Sequence, residues 1–394
     1  MKGESGDVGE PLTVLHIIGG LQKGGGAEEI LYRLVIENKH NRHVVMSLGD
    51  EGHYGPELAR RGVEVVAIDL RKRLAALLKL FTIFSEIKRI APDVVQTWMY
   101  YSDLIGGVCA RLAGVPNVVW GIHNSTLDAE ASSFSSRCFA RLSAVASKRV
   151  PRKIISCSRV GVRVHTALGY ASDKLSVVHN GYDLSEFSDH AASAPSYGIP
   201  ASTLLRDEFN ISNQTVCLGM VARFDPQKDH ENLLSGLSEL RRLGHEDWVC
   251  FLFGKDVSEN ATLSDLVNKY GLQEKVVCYG LSETIAAHVR QLDLTVLSSR
   301  FGEAFPNVLN EAMASKVPCV TTDVGDSSVI VSDCGWTVPV SDPNALGSAI
   351  AAAISELQDL PEQWEKRRNR CREHIESNFA IGVMSEAYEA VWRG

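Results

Sequence analysis

The feature that most constrains the fold of this chain is an alternation of strand-like and helix-like segments that occurs twice. The first series starts with the apolar run "LTVLHII", which ends at glycines, and continues through six further strand-like runs as far as "LSVVHNG". The second series has six strand-like runs, from "QTVCLGMVA" to "GWTVPV". Continuous apolar runs bounded by turn residues are typical of parallel strands that are buried on both faces. The chain is therefore predicted to be α/β, with two doubly wound parallel sheets.

A polar segment separates the two series and places the domain boundary. After Tyr182 the chain reads "DLSEFSDHAASAPSYGIPAS", a small and polar stretch with Pro and Gly that is typical of a linker. We predict an N-terminal Rossmann-like domain over residues 1–185, a linker region over 186–212 and a C-terminal domain over 213–379. A helix over residues 380–394 is expected to pack back onto the N-terminal domain. Sheets of this kind bind ligands at the carboxyl ends of their strands, so we expect the site in the cleft between the domains.

Composition and charge exclude several classes of function. The first 195 residues carry 23 Lys and Arg against 20 Asp and Glu, and the rest carry 17 against 28. Neither half is basic enough to indicate nucleic acid as a partner. The nine cysteines are scattered without a C-x-x-C pair, as expected for reduced thiols. The polar start "MKGESGDVGE" lacks the apolar core of a secretory signal, so we expect a cytoplasmic protein.

A glycine-rich loop, "GGLQKGGGAEE", follows the first strand and opens the first helix. Glycines at a helix N-terminus let backbone N–H groups approach phosphate. A Walker loop has the pattern G-x4-G-K-[ST]. When this pattern is started at Gly19 or at Gly20, its second glycine is followed by glycine and not by lysine, so a Walker loop is excluded. A dinucleotide fingerprint fits Gly24 and Gly26, with Asp50 as a ribose-binding acid, but Glu29 replaces its third glycine. A dinucleotide loop, a loop for the phosphates of a donor or acceptor and a flexible turn all remain open.

Two cations and two acids follow strands of the second series. Arg223 and Lys228 lie in "GMVARFDPQKDHENLL", where a guanidinium fork and a point charge would suit a pyrophosphate. A solvated loop is the alternative. "SSRFGEAFPNVLNEAMAS" contains Glu303 and Glu311, and Pro306 suits the first turn of a helix. A loop acid and a helix acid could converge on one elongated ligand, although two ordinary surface acids are also common.

Taken together, these motifs resemble a known family. "ARFDPQKDHENLL", "SSRFGEAFPNVLNEAMASKVPCVTTDVG" and "VVHNGYDLSEF" resemble the retaining, GT-B-fold glycosyltransferases of family 4, also called group 1. The resemblance covers almost the whole chain, including "KGGGAE" and "GWTVPVSDPNALGSAI". It implies two Rossmann-like domains that face each other across a cleft, the first binding the acceptor and the second a nucleotide sugar. The implied reaction transfers a sugar with retention of its anomeric configuration.

The resemblance also implies catalytic roles. Arg223 and Lys228 would bind the donor diphosphate and stabilise the charge that builds on the leaving group. Glu303 would hold hydroxyls of the transferred sugar near its anomeric carbon. His123, at the end of "VVWGIHN", would face the donor sugar from the first domain, whereas without the resemblance it would be interpreted as a packed histidine.

The donor-binding set implied by the resemblance is larger. Glu311 would accept hydrogen bonds from the ribose, and Leu281 would lie near the base. No D-x-D motif occurs, so no metal and no cofactor is expected, and cations of the protein would neutralise the diphosphate. The full set is Gly25, Gly26, Arg223, Lys228, Leu281, Glu303, Ala304, Phe305, Pro306, Asn307 and Glu311.

The expected substrates are a nucleotide-sugar donor, with UDP favoured, and a saccharide or lipid-linked saccharide acceptor in surface polysaccharide or glycolipid synthesis. The transferred unit would be a hexose or N-acetylhexosamine, and a GDP-mannose-dependent mannosyltransferase is the alternative. The sequence departs from many relatives after "TTDVGD", where Asp326, Ser327 and Ser328 replace a second glycine and a glutamate, so the identity of the sugar stays open.

Other interpretations are an NAD(P)-dependent oxidoreductase and a non-catalytic sugar-nucleotide-binding subunit. Two segments of the first domain, "LRKRLAALLKLFTIFSEIKRI" and "RCFARLSAVASKRVPRK", combine basic and apolar residues. One interpretation is contact with an anionic membrane, which would make the protein peripheral on the inner face of the cell membrane. The other is an ordinary helix that covers the sheet.

Overall fold

The computed structural model describes residues 9–23, 26–70, 76–127, 133–187 and 205–394. The chain divides into two compact units. Unit 1 comprises Met1–Gly181 together with Ile381–Gly394, and unit 2 comprises Tyr182–Ala380. Each unit contains one parallel sheet with helices, so the predicted fold class is confirmed. The predicted linker, residues 186–212, lies mostly outside the described residues.

Unit 1 has a seven-stranded sheet in the order β3-β2-β1-β4-β5-β6-β7, in which all pairs are parallel. The order reverses between β1 and β4, which is where a doubly wound sheet opens a crevice for a ligand. The strands are β1 Thr13–Ile18, β2 Arg42–Ser47, β3 Glu64–Ala67, β4 Val94–Trp98, β5 Asn117–Ile122, β6 Lys153–Ser156 and β7 Leu175–Val177.

The helices of unit 1 occupy the crossovers between these strands. The first, α1, begins directly after the glycine-rich loop, as predicted. The described bounds are α1 Gly26–Glu37, α2 Tyr54–Arg60, α3 Ala76–Ile90, α4 Met99–Leu112, α5 Phe134–Ser147 and α6 Arg159–Leu168. Helix α4 begins directly after β4, at Met99, whose φ of 69° is left-handed.

Unit 2 has a six-stranded parallel sheet in the order β10-β9-β8-β11-β12-β13. The order reverses between β8 and β11, and the two segments that carry the predicted cations and acids follow these two strands. The strands are β8 Val216–Val221, β9 Trp248–Phe253, β10 Val276–Gly280, β11 Leu294–Leu297, β12 Cys319–Thr322 and β13 Trp336–Val338.

The helices of unit 2 cover both faces of its sheet, and buried leucines of α8 pack against the longer α13. They are α7 Leu205–Glu208, α8 His230–Arg242, α9 Ala261–Lys269, α10 Ile285–Val289, α11 Asn307–Ala314, α12 Ser327–Val331, α13 Pro343–Asp359 and α14 Pro361–Phe379. Among the described residues, none of the helices in either unit is both long and apolar enough to cross a bilayer.

The last helix, α15 Ile381–Arg393, belongs to unit 1. Its apolar residues Met384, Tyr388 and Trp392 are buried in a core cluster with residues of the unit 1 strands. Trp392 also donates from its indole Nε1 to Gln96 Oε1 at 3.2 Å, and its backbone oxygen accepts from Asn117 Nδ2 at 2.6 Å. The C-terminus of the chain therefore completes the N-terminal unit.

Candidate active site

The loop after β8 holds the two predicted cations in different environments. Lys228 lies in a turn in which its N–H donates to Asp225 O at 2.9 Å, and its side chain is 16% exposed. The Arg223 side chain is 57% exposed, with its Nε 3.2 Å from Asp225 Oδ2. Because an exposed ion pair is weak in water, an incoming anion could recruit Arg223 at little cost.

The loop after β11 brings Glu303 to Lys228. The Lys228 ammonium donates to Glu303 Oε1, and the same oxygen accepts from Ser299 Oγ at 2.7 Å. Glu303 is 8% exposed and Ser299 is fully buried. A buried carboxylate needs hydrogen bonds to remain charged, and here an ammonium and a hydroxyl provide them. The structure thus places two predicted site residues together and adds Ser299, which the sequence did not indicate.

Hydrogen bonds from the residues directly after β11 hold the lysine loop in place. Ser298 Oγ donates to the backbone oxygens of Lys228 and Asp229 at 2.9 and 3.0 Å. The N–H of Arg300 donates to Gln227 O at 2.9 Å. The two loops are therefore joined on both sides of the Lys228–Glu303 pair, which fixes the ammonium relative to the carboxylate. Adjacent serines at a strand end are too common in sequences for this role to be predicted.

Glycine at position 325 is required for the backbone around Glu303. Its φ is 64°, and an added Cβ would lie 2.4 Å from Glu303 O. The next residue, Asp326, donates its N–H to Ala304 O at 3.0 Å. The segment in which this sequence departs from many relatives, Asp326 to Ser328, therefore packs directly against the Glu303 loop.

The helix after Glu303 is α11, which begins at Asn307. Pro306 lies at the N-cap with ψ of 112°, so our prediction that it occupies the first turn is wrong by one residue. This extended ψ excludes Pro306 from the helix itself. Phe305 is buried and packs edge-to-face on Phe379, with ring centroids 5.2 Å apart. The first N–H groups of α11 therefore follow directly on the Glu303 loop, in a position suited to an anion.

A tyrosine at the start of unit 2 holds the first residue of α11. Tyr182 is 1% exposed, and its hydroxyl donates to Asn307 Oδ1 at 2.5 Å. Glu311 lies one turn further along α11 and is half-buried. Leu281 follows β10 and is 75% exposed, which leaves its side chain accessible to a flat apolar ligand. The sequence did not identify Tyr182 as a support of this helix.

His123 follows β5 in unit 1. Its ring stacks on Trp98 with centroids 5.1 Å apart. Its backbone nitrogen lies 3.4 Å from the sulfur of the left-handed Met99. Burial lowers the pKa of His123 to about 4. Within the described part of the chain, neither ring nitrogen has a hydrogen-bond partner. With this lowered pKa the imidazole is neutral at pH 7, so one ring nitrogen can donate a hydrogen bond and the other can accept one.

The glycine-rich loop is described in part. Gly26 is the first residue of α1, and Gly25 lies outside the described residues. In front of Gly26, no described atom lies within 4 Å of the position that a Cβ would occupy. Gly26 is exposed among the described residues.

Two protein-family profiles match the chain. The profile described as "Glycosyl transferases group 1" matches residues 202–374, and that described as "Glycosyltransferase Family 4" matches residues 24–186. The first profile lies over unit 2, which contains Lys228, Glu303 and α11. The second covers most of unit 1 and includes His123.

Individual relatives match the chain at low sequence identity. A UDP-Gal:alpha-D-GlcNAc-diphosphoundecaprenol alpha-1,3-galactosyltransferase of Escherichia coli is 23% identical over 320 residues, covering 80% of this chain and 78% of that protein. An exopolysaccharide phosphotransferase of Streptomyces coelicolor is 27% identical over 190 residues, 48% of this chain. The chain spans only 19% of the length of that relative.

Among solved structures, HepE of Anabaena in complex with UDP is similar, with a TM-score of 0.79 at 18% identity. The match covers 97% of this chain and all of that chain, and it shows a shared fold. Together, the two profiles cover most of the sequence, in the order predicted from its motifs. The chain belongs to the group 1 glycosyltransferases of family 4, which have the GT-B fold.

Proposed function

We propose that this protein is a retaining, metal-independent glycosyltransferase that moves a hexose or N-acetylhexosamine from a UDP-sugar to a saccharide acceptor. The observation that carries the proposal is the buried Lys228–Glu303 pair, held by Ser299 just before the N-terminus of α11. A cation, a carboxylate that can accept from hydroxyls and the first N–H groups of a helix together suit a sugar diphosphate.

Lys228 would act on the leaving group. When the bond between the anomeric carbon and the diphosphate breaks, negative charge builds on the diphosphate oxygens. A fixed ammonium stabilises this charge without having to reorganise. Arg223, which is exposed beside it, would close on the same phosphates as a bidentate donor. With both cations in place, the protein itself would supply the positive charge that a metal supplies in other transferases.

Glu303 would position the sugar. One of its oxygens, Oε1, already accepts from Lys228 and Ser299, so the carboxylate has a defined orientation. A carboxylate so oriented can accept hydrogen bonds from sugar hydroxyls. Glu311 would bind the ribose hydroxyls from the second turn of α11, and the buried, neutral imidazole of His123 would bind a sugar hydroxyl. Glu303 and Glu311 therefore bind hydroxyls in this proposal and are not an acid and base pair.

Retention would follow from attack on the same face that the leaving group occupies. The acceptor hydroxyl would approach as the nucleoside diphosphate departs, and a phosphate oxygen would take its proton. We expect the product to have the anomeric configuration of the donor. An NMR spectrum of fresh product distinguishes the anomers, and a product of inverted configuration would rule out this part of the proposal.

The choice of UDP and of a lipid-linked acceptor is supported by similar proteins. HepE was crystallised in complex with UDP, and the Escherichia coli relative takes UDP-Gal and an acceptor linked to diphosphoundecaprenol. A thermal-shift assay with UDP, GDP, ADP and NAD tests the donor. UDP should raise the melting temperature, and Glu311→Ala should reduce this shift. Stabilisation by NAD alone would contradict the proposal and favour the oxidoreductase.

For the acceptor side, we propose contact between α5 and an anionic membrane. Phe134, Leu142 and Val145 on α5 are 73%, 56% and 71% exposed and recur at helical spacing. Arg141, which lies within α5, and Lys148, which directly follows it, are also exposed. Residues 133–153 contain no Asp or Glu. An apolar stripe beside the exposed cations Arg141 and Lys148 suits the interface of an anionic bilayer.

Vesicle co-sedimentation tests this contact. The protein should pellet with phosphatidylglycerol-containing vesicles but not with pure phosphatidylcholine vesicles, and Leu142→Glu with Val145→Glu should prevent pelleting. Leu243→Glu is a matched control, because Leu243 is a 43% exposed leucine of unit 2. Wild-type protein that stays in the supernatant with both vesicles would exclude the membrane as a partner.

A further inference from the structure

The ring of His123 is oriented by stacking on a neighbouring aromatic ring. Its two nitrogens have no hydrogen-bond partner within the described residues, so hydrogen bonds from these residues do not orient the imidazole. The ring centroid lies 5.1 Å from that of Trp98, and the two ring planes are 22° apart. Aromatic rings attract each other in such an offset arrangement. The plane of the imidazole therefore follows the plane of the Trp98 indole.

Trp98 is itself held by a second ring and by a hydrogen bond. It is fully buried, and its ring stacks on Tyr388 of α15 with centroids 5.8 Å apart and planes 20° apart. Its indole Nε1 donates to His16 Nδ1 at 3.3 Å. An indole nitrogen is a donor only, so His16 Nδ1 has to be unprotonated. The indole is thus fixed both across its face and at its edge.

The hydrogen bond to Trp98 is the first of a buried series. His16 Nε2 lies 2.9 Å from His43 Nδ1, and His43 Nε2 lies 2.8 Å from Asn38 O. Because Trp98 occupies His16 Nδ1, the proton of His16 is on Nε2 and is donated to His43, which donates in turn to Asn38. Burial lowers the pKa of both histidines, so this single arrangement holds at neutral pH. The orientation of Trp98 is therefore set from inside unit 1.

The residue after Trp98 holds the backbone of His123. Met99 has a φ of 69°, which is uncommon for a residue with a long side chain, and its sulfur lies 3.4 Å from the backbone nitrogen of His123. Such a conformation persists only where the surrounding contacts determine it, and it is frequent at functional sites. The end of β4 therefore contacts both the ring and the backbone of His123.

The position of Trp98 distinguishes it from an ordinary core tryptophan. It is the last residue of β4 and pairs with Ile18, the last residue of β1, at the point where the strand order reverses. Ligands of doubly wound sheets bind at this point. Trp120 on β5 is equally buried but belongs to a different core cluster. Trp98 thus lies where packing can reach a bound substrate.

We propose that Trp98 is a positioning residue of the transfer reaction, which sets the plane of the His123 ring and is itself oriented by His16 and Tyr388. The proposal rests on the proposed function, because Trp98 acts through a histidine that binds a sugar hydroxyl in that function. It predicts that a change at Trp98 affects turnover only while His123 is present.

Hydrolysis without acceptor tests this dependence. The donor is whichever of UDP-glucose, UDP-galactose and UDP-N-acetylglucosamine the wild-type protein consumes fastest. Trp98→Leu should lower kcat about tenfold, whereas Trp98→Phe, which keeps a flat ring, should stay within about threefold of wild type. In a His123→Ala background, Trp98→Leu should change kcat by less than about twofold. The Kd of UDP should be unchanged throughout, because its proposed contacts lie in unit 2.

A matched variant controls for lost stability. Trp248 of unit 2 is 1% exposed, and its indole also donates one hydrogen bond, to His245 O at 3.0 Å. Trp248→Leu should lower the melting temperature and leave kcat unchanged. An equal fall of kcat in Trp248→Leu and Trp98→Leu would overturn the proposal, because general destabilisation would then explain both.

NMR of histidine-labelled protein follows the His123 ring without requiring turnover, with its signals assigned by their loss in His123→Ala. The wild-type ring should not titrate between pH 8 and pH 5.5, since burial lowers its pKa to about 4. In Trp98→Leu the space left beside the ring admits water, and the pKa should rise towards about 6.5.

Two results would overturn the role of Trp98. One is a His123 ring that stays untitrated in Trp98→Leu, and the other is a loss of kcat from Trp98→Leu that is equally large with and without His123. Failure of wild-type protein to hydrolyse any of the nucleotide sugars would instead overturn the proposed function. The titration would still show in that case whether Trp98 holds the His123 ring.

Discussion

Lys228 and Glu303 are the residues on which the proposed chemistry depends most. Each is largely buried, and each compensates for the desolvation of the other. The pair therefore has to be tested in a way that separates chemistry from stability. Its loops are joined by hydrogen bonds from Ser298 Oγ and the Arg300 N–H to backbone oxygens, so the rest of the site should survive a change at Lys228 or Glu303.

Replacing Lys228 by Ala should reduce transfer by about 10²–10³-fold, the range found when a group that stabilises a developing anion is removed. Initial rates with saturating donor would measure this loss. Because Lys228→Ala leaves Glu303 buried without its cation, its melting temperature should also fall. The double variant Lys228→Ala with Glu303→Ala should regain stability but not activity. If the double variant regained activity, Lys228 would not be the group that stabilises the leaving diphosphate.

Ser299 provides a finer test at the same carboxylate. Ser299→Ala removes one hydrogen bond to Glu303 and leaves Lys228 in place, so we expect about a tenfold lower kcat, consistent with a bond to a charged group. A merely structural role would lower the melting temperature without changing kcat. Ser264→Ala, at an exposed serine of unit 2, is the control and should leave kcat unchanged.

At the scale of elements, the site depends on how two loops and one helix are held together. The chain after β12 packs through Gly325 against the backbone of the Glu303 loop, and Tyr182 holds the start of α11. These contacts join segments that are distant in sequence. They hold these loops in a fixed arrangement around the Lys228–Glu303 pair.

Gly325→Ala should disturb this arrangement, because the added Cβ would lie 2.4 Å from Glu303 O at a φ of 64°. We expect most activity to be lost. Gly244→Ala is the matched control, since Gly244 has a φ of 93° but no described atom within 4 Å of an added Cβ. The control should lose only about 1 kcal/mol of stability from backbone strain. Equal activity in the two variants would show that the Gly325 contact does not support the site.

Sequence patterns predicted the elements better than the contacts between them. The apolar runs fixed the strands of both sheets, because buried parallel strands leave a continuous signal. The order of motifs also located the Lys228 and Glu303 loops. Ser299 and Tyr182 were missed, since each acts through one hydrogen bond that depends on tertiary packing. Pro306 was placed one residue too far into α11, because proline is common at the first helical position and helix bounds vary by one or two residues.

At the scale of the whole molecule, burial of several histidines links stability to pH. The pKa of His43 is lowered by burial to about 4, as is that of His230, and His16 shifts in the same direction. The unfolded chain therefore binds more protons than the folded chain between pH 6.5 and 4. Stability should fall as pH decreases through this window, by up to about 1.4 kcal/mol per pH unit for each histidine. Asp103 opposes this, because burial raises its pKa.

Urea unfolding at pH 7 and at pH 5 would measure the effect. The midpoint should be lower at pH 5, and the difference should shrink in His43→Gln, which removes one of the titrating groups. His43 Nδ1 lies 2.9 Å from His16 Nε2, so the substitution also changes stability by removing this contact. The midpoint of His43→Gln at pH 5 should therefore be compared with the midpoint of the same variant at pH 7. Equal midpoints for wild-type protein at the two pH values would contradict the assignment of these histidines as buried and neutral.

The most direct test of the central claim is hydrolysis of nucleotide sugars by the whole chain, with UDP, GDP and ADP derivatives of common hexoses and N-acetylhexosamines compared. We predict that a UDP-sugar is consumed fastest and that the released or transferred sugar first has the anomeric configuration of the donor. We also predict that Lys228→Ala lowers this consumption by about 10²–10³-fold. Consumption of no nucleotide sugar, or consumption that is unchanged in Lys228→Ala, would contradict a transferase built on the Lys228–Glu303 site.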